Sequence, residues 1–219
     1  MINKIAQSVA DALAGIQDGA TVLIGGFGTA GIPNELIDGL IAQGAKDLTV
    51  VNNNAGNADV GLAALLQADS QVFDGLYRAG KLELELVPQG NLAERIRAAG
   101  AGIGAFFCPT GFGTELAGDR ETREIDGKQY VLEYPIHGDV ALIKAEAGDR
   151  WGNLVFRKAA RNFGPVMAMA ARRTIATVHD IVELGALDPE SIVTPGIFVS
   201  KIVRIDRVAT LAGGFKKAA

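Results

Sequence analysis

The sequence predicts an α/β fold, an open and mainly parallel sheet flanked by helices, with a β-hairpin insertion. Three observations predict it. The apolar run Thr21-Val-Leu-Ile24 leads through a glycine loop to the helix-like stretch Asn34–Gly44, and Leu48-Thr-Val-Val51 follows, a β-α-β order whose strands run parallel. Asp126-Gly127 sits between the β-rich arms of Arg123–Tyr134, the strongest local signal for a hairpin. The 219 residues, 48% hydrophobic, hold neither an internal repeat nor a low-complexity linker. One domain over residues 1–219 is therefore expected, with the insertion at about 119–136 and a frayed tail from about 208 to 219.

Each element has its own warrant. Ile2, Ile5, Val9, Leu13 and Ile16 recur at three- and four-residue spacing, which predicts a first helix with one face on the core. Pro33 suits the start of the second helix, and Glu35 falls in its first turn, where the dipole favours an acid. Leu82-Glu-Leu-Glu-Leu-Val87 alternates with the period of a strand covered on one face. Asn91 and Glu94 have the spacing of a capping box and open a short helix that Gly100 ends. Asp139–Ala145 and Asn153–Lys158 predict strands, Pro165–Arg173 a helix and Thr174–Val178 a further strand.

Composition removes several function classes. No run approaches the ~20 apolar residues of a membrane helix, and the amphipathic N-terminus is unlike a cleavable signal, so a cytoplasmic location is expected. A net charge of −4 argues against a nucleic-acid partner. The single cysteine, Cys108, has no disulfide partner and is expected to be a buried, small apolar side chain. With only His137 and His179 beside it, no metal cluster is spaced along the chain, and His137 receives no role.

The loop Gly25-Gly-Phe-Gly-Thr-Ala-Gly-Ile-Pro33 carries the chemistry. Gly26–Gly31 matches G-x-G-x-x-G after a strand, the dinucleotide pattern, in which glycines let backbone amides approach a pyrophosphate. Pro33 would then fall inside the helix, where it costs a hydrogen bond, and the second strand ends Val51-Asn52-Asn53-Asn54 without the acid that binds a ribose. A nucleotide-triphosphate loop and a G-x-S-x-G serine elbow are both absent. What remains is an amide-rich loop at a helix start beside three asparagines, both at the C-terminal ends of neighbouring strands, where open α/β sheets bind ligands. By itself the loop fits equally a tight turn that packs helix on strand.

Four ordered segments, Gly25–Ile37, Val51–Gly56, Val87–Thr114 and Gly152–Phe163, together resemble the alpha chain of family I CoA-transferases, over a likeness running from about Ala20 to Val203. Within the family the 3-oxoadipate-using branch is the nearest, and the acetoacetate-using branch is the alternative. The resemblance implies transfer of CoA from succinyl-CoA to a 3-oxoacid through a glutamyl-CoA thioester, with CoA as substrate and no resident cofactor or metal. The nucleophilic glutamate is expected in a Ser-Glu-Asn-Gly type motif of a beta subunit. Glu35, Glu83, Glu85, Glu94 and Glu115 lie in no such motif, so no catalytic nucleophile is assigned to this chain, which is expected to work only as a heteromer.

By the same resemblance Gly25, Gly26, Phe27, Gly28, Thr29, Ala30 and Gly31 form a CoA-binding and oxyanion loop, and Asn53, Asn54 and Gln89 bind the acid substrates. Neutral carboxamides suit this work, since catalysis rewards contacts that strengthen in the transition state and a fixed cation would hold the ground-state carboxylate too firmly. The cations Arg157, Lys158 and Arg161 would face CoA phosphates, a partner chain or only solvent, and are left outside the site. After Leu66 the family continues with an additional segment, whereas Gln67 follows at once here, so a stretch of chain is expected to be missing at that junction. Two readings of other classes remain in view, a nicotinamide-dependent oxidoreductase on the glycine pattern and a noncatalytic regulatory protein.

Overall fold

A computed structural model describes residues 2–53, 77 and 79–207. At its centre are five parallel strands: β1 (Thr21–Ile24), β2 (Thr49–Asn52), β6 (Gly138–Lys144), β9 (Ala171–Val178) and β11 (Lys201–Arg204), in the order β11-β9-β6-β1-β2. Being interior to the sheet, β1 is buried on both faces, and its alternation sorts the core. Val22 and Ile24 join Leu142 and Ile175 on one face, under α1 (Val9–Leu13) and α2 (Asn34–Gln43). Leu23 joins Ala141, Ile143 and Ile202 on the other, under α3 (Gln89–Ala101) and α4 (Gly164–Ala170). The parallel α/β architecture read from the first crossover is thus the observed one.

Two small sheets flank this layer. The hairpin signal is realised as β4 (Thr122–Ile125) and β5 (Lys128–Glu133), and Asp126 and Gly127 both take the positive φ that a tight hairpin turn demands. A third strand, β3 (Phe106–Cys108), lies antiparallel on the free side of β5. The remaining sheet orders β10 (Asp180–Val182), β7 (Ala147–Asp149) and β8 (Leu154–Val155). Among the described residues no helix is long and apolar enough to cross a membrane.

The structure corrects several sequence expectations. The first helix begins at Val9, not Ile2: Ser8 caps it by accepting the Asp11 N–H, while Ile5 bridges to Ile202 at the open edge of β11. Leu82–Val87 is not a strand; its backbone finds no ladder among the described residues, and Leu86 stands 68% exposed. No Asn91–Glu94 capping box forms, because the helix starts two residues earlier at Gln89, placing Asn91 inside it with its side chain bonded to Glu133. Gly100 lies within that helix, where an added Cβ would meet the Met169 Cβ at 2.6 Å, and Gly102, in left-handed conformation, terminates it. Helix α4 stops at Ala170, so Arg172 and Arg173 belong to β9, and the Asn153–Lys158 strand shrinks to Leu154–Val155. Cys108 is half-buried rather than a buried apolar filler, its thiol donating to Asn91 Oδ1 at 3.2 Å.

Candidate functional site

The register of the central sheet places the predicted residues side by side. Ile24 pairs with Asn52, so the glycine loop and Asn53 leave adjacent parallel strands at the same level. This is the carboxyl edge of the sheet, where such folds bind ligands. Gln89 arrives from the first turn of α3 and donates its Nε2 to Asn53 Oδ1 at 2.8 Å, joining two of the three predicted carboxamides. Asn54 and the Leu66–Gln67 junction lie outside the described residues.

The loop is a folded turn rather than an open row of amides. Phe27 and Ala30 exchange both N–H···O bonds at 3.0 Å, Gly25 donates to Leu142 O, and Gly26 donates to Asn162 Oδ1 at 3.2 Å. These four N–H groups are engaged within the protein, so the expectation that the whole of Gly25–Gly31 offers donors to an anion does not hold for Gly25, Gly26, Phe27 and Ala30. Two glycines are required by space. A Cβ on Gly26, at φ +135°, would meet the Ile32 side chain at 2.6 Å, and one on Gly31, at φ +73°, would meet the Ala160 carbonyl oxygen at 2.5 Å.

That second contact brings in residues that the sequence alone leaves outside the site. The 3₁₀ turn Lys158–Arg161 packs directly against the loop, and Asn162, which follows it, binds the two together. Its Oδ1 accepts from Gly26 N and from Phe163 N (2.6 Å), while its Nδ2 donates to Ala30 O (3.0 Å) and Ala159 O (2.8 Å). A carboxamide has two donors and two acceptor sites, and here all are used. Phe27, Lys158, Ala159, Arg161 and Asn162 together line a cleft of ≈ 420 Å³ beside the loop. Lys158 holds φ +52°, a left-handed conformation that costs a non-glycine residue about 1–2 kcal/mol. The signal for Asn162 in the sequence is slight, a lone Asn after a basic run, and its partner Gly26 is 136 positions away.

Among the described residues none that lines the cleft is acidic. Three of the glutamates considered as nucleophiles have cationic neighbours: Glu94 pairs with Arg97, Glu85 with Arg95, and Glu35 lies 3.7 Å from Lys144. A further carboxylate, Glu133, is 1% exposed and held by Arg120 and Asn91, tying α3 to the hairpin sheet. It is a structural anchor. Among the described residues no group of three His, Cys, Asp or Glu side chains is placed to hold a metal ion.

Helix α2 begins after Pro33 and β2 ends in Asn52, so the fold supplies neither the helix start within the glycines nor the acid that a dinucleotide site needs.

Comparison with known proteins agrees with this geometry. The coenzyme A transferase family model matches residues 6–204. A 3-oxoadipate CoA-transferase subunit of Pseudomonas putida is 65% identical over 223 aligned residues, covering 95% of this chain and 96% of the relative. A succinyl-CoA:3-ketoacid coenzyme A transferase subunit of Helicobacter pylori (strain J99) is 47% identical, covering 93% of each. In fold, the acyl-CoA transferase YdiF of Escherichia coli O157:H7 superposes with a TM-score of 0.86 at 23% identity, over 98% of this chain and 49% of that one. The strand-end loop, its paired carboxamides and these likenesses lead to one conclusion: the chain belongs to the coenzyme A transferase family.

Proposed function

We propose that this chain is the alpha component of a heteromeric, cytoplasmic CoA-transferase that moves CoA from succinyl-CoA to a 3-oxoacid, 3-oxoadipate in particular. The Gln89–Asn53 pair beside the glycine loop carries the reading, since it sets neutral donors where a carboxylate and a thioester would meet. The named relatives support the substrates: one is called a 3-oxoadipate transferase and the other a succinyl-CoA:3-ketoacid transferase.

The nucleophile comes from a second polypeptide. A glutamate carboxylate attacks the thioester carbonyl and expels CoA thiolate, leaving a mixed anhydride. The thiolate then attacks the glutamyl carbonyl, releasing succinate and forming a glutamyl-CoA thioester, and the acceptor acid takes the CoA by the same steps in reverse. Each attack on a carbonyl passes through a tetrahedral oxyanion, which fixed donors at ~2.7–3.1 Å stabilise. Gln89 and Asn53 serve the incoming carboxylate, the turn Gly25–Gly31 serves the CoA side, and CoA is a substrate rather than a resident cofactor.

The test is a paired assay at neutral pH. This chain, its beta partner and the mixture are each given succinyl-CoA with 3-oxoadipate or acetoacetate. Turnover only in the mixture, faster with 3-oxoadipate, is expected. Full-rate turnover by this chain alone would sink the proposal, and a preference for acetoacetate would replace the acceptor named here.

A further inference from the structure

We infer that Lys158 and Arg161 form an anion-recognition site on the wall of the cleft beside the glycine loop, taking a phosphate of the CoA substrate or the far carboxylate of a dicarboxylic acceptor. The inference deepens the transferase reading and rests on it for the identity of the ligand.

Four observations carry it. The first is an accounting of arginines. Arg95, Arg97, Arg120, Arg123, Arg204 and Arg207 reach carboxylates, Arg172 lies 3.8 Å from Asp139, and Arg150 and Arg173 donate to backbone carbonyls. Among the described residues only Arg157 and Arg161 have no such oxygen, and Arg161 is the one that lines the cleft. Lys158 lines it too, and is likewise without a carboxylate within ion-pair distance among the described residues. Two cations at one cleft with no counter-ion from the described residues attract an external anion.

Second, Lys158 is held at φ +52°, a left-handed backbone that a non-glycine residue seldom adopts, and strained conformations persist where surrounding structure enforces them, commonly at ligand sites. Third, Asn162 bonds both the glycine loop and Ala159 of the turn that carries the two cations, so the backbone bearing them is joined to the loop rather than being a free surface turn. Fourth, Phe27 is 50% exposed and lines the same cleft, giving the anion's organic portion an apolar side chain to lie on.

The experiment uses the heteromer of this chain with its beta partner, carrying Lys158→Gln, Arg161→Gln, both together, or Arg157→Gln as a control of equal charge outside the cleft. KM is measured for succinyl-CoA, succinyl-pantetheine, 3-oxoadipate and acetoacetate, and assembly is checked by sedimentation. The double variant is expected to raise one KM by about tenfold or more, the loss of two exposed charge-assisted contacts, with Arg157→Gln unchanged. If the source is phosphate, the rise is in succinyl-CoA with either acceptor and is absent for succinyl-pantetheine, which lacks the nucleotide. If the source is carboxylate, the rise is in 3-oxoadipate and absent for acetoacetate. No KM changing more than twofold in the double variant overturns the inference, as does an equal effect of Arg157→Gln or a loss explained by dissociation of the heteromer. Should the wild-type heteromer transfer nothing, the transferase reading fails separately, and calorimetric titration with CoA and with 3-oxoadipate decides the anion site: isotherms equal for wild type and double variant reject it.

Discussion

Asn162→Ala is the perturbation that bears most directly on how the loop is held. It removes two acceptor contacts from the N–H groups of buried Gly26 and Phe163, and two donor contacts from the carbonyls of Ala30 and Ala159. A buried N–H left unpaired costs about 1–3 kcal/mol, whereas the Ala159 carbonyl is exposed and turns to water at little cost. Water entering the vacated space recovers part of the loss, which leaves about 2–3 kcal/mol. For a chain of this length that lowers Tm by roughly 4–12 °C, since each kcal/mol moves it about 2–4 °C. Catalysis should suffer more than folding. Gly31 rests on Ala160, so freeing the clamp lets the loop and the 158–161 turn separate, and a displacement near 1 Å at a reacting centre costs on the order of 100-fold. The assay is kcat and KM of the reconstituted heteromer alongside a thermal melt of this chain by itself. Asn162→Asp keeps the acceptor oxygen but sets a carboxylate against two carbonyls; it should fall between alanine and wild type at low pH, where the acid can donate, and match alanine at neutral pH. An alanine variant with wild-type Tm and kcat would refute the clamp.

Other expectations follow from the same geometry. Gln89→Ala or Asn53→Ala should reduce kcat/KM about 10- to 100-fold, each removing one donor to a charged group, and the double variant should lose less than the product of the two because they are hydrogen-bonded to each other; strict additivity would show that they act separately. Gly31→Ala, with its methyl 2.5 Å from the Ala160 oxygen in left-handed backbone, should destabilise by about 1–3 kcal/mol in a denaturant titration and abolish most turnover. Lys4 donates to Gly196 O at 2.6 Å, and burial holds its pKa below the ordinary 10.5, with the Asp149 carboxylate opposing that shift. The folded-state pKa is the lower one, so between it and 10.5 the unfolded chain binds the extra proton and stability rises with pH. Subtracting the pH profile of Lys4→Met from that of wild type should isolate the rise; a flat difference would contradict it.

What is legible in the sequence is what repeats or is local. Apolar runs announce β1 and β6, Asp126-Gly127 announces its hairpin, and an asparagine run after β2 beside a glycine loop after β1 locates the carboxyl edge. The failures share a cause. Leu82–Val87 has the pattern of a strand but no ladder among the described residues, and a pattern without a partner strand does not pair. Ile2 and Ile5 fit a helical period, yet an open sheet edge at β11 claims Ile5, and Ser8 sets the helix start. Asn91 has the spacing of a cap because its buried acceptor, Glu133, lies 42 positions away and out of local view. Long-range polar partners leave no periodic trace in a sequence.

The glycine loop illustrates this limit at the site itself. Its composition points to amides that face a ligand, yet four of them, those of Gly25, Gly26, Phe27 and Ala30, are engaged by the protein. On the proposed reading, that engagement is what gives the loop its use. A donor helps a transition state only if it is already aimed when charge develops, because reorienting it during reaction would cost what the contact returns. Glycines alone would make the turn pliable, since they lose the most conformational freedom on being fixed. The Phe27–Ala30 pair and the Asn162 clamp remove that freedom during folding. The same asparagine also joins the loop to the turn that carries Lys158 and Arg161, so on the proposed reading the charge-binding and donor elements are held together when a second polypeptide brings its acid. It follows that damage to Asn162 and damage to the two cations should differ in kind: the first lowers kcat with every substrate, and the second raises KM for one anion only.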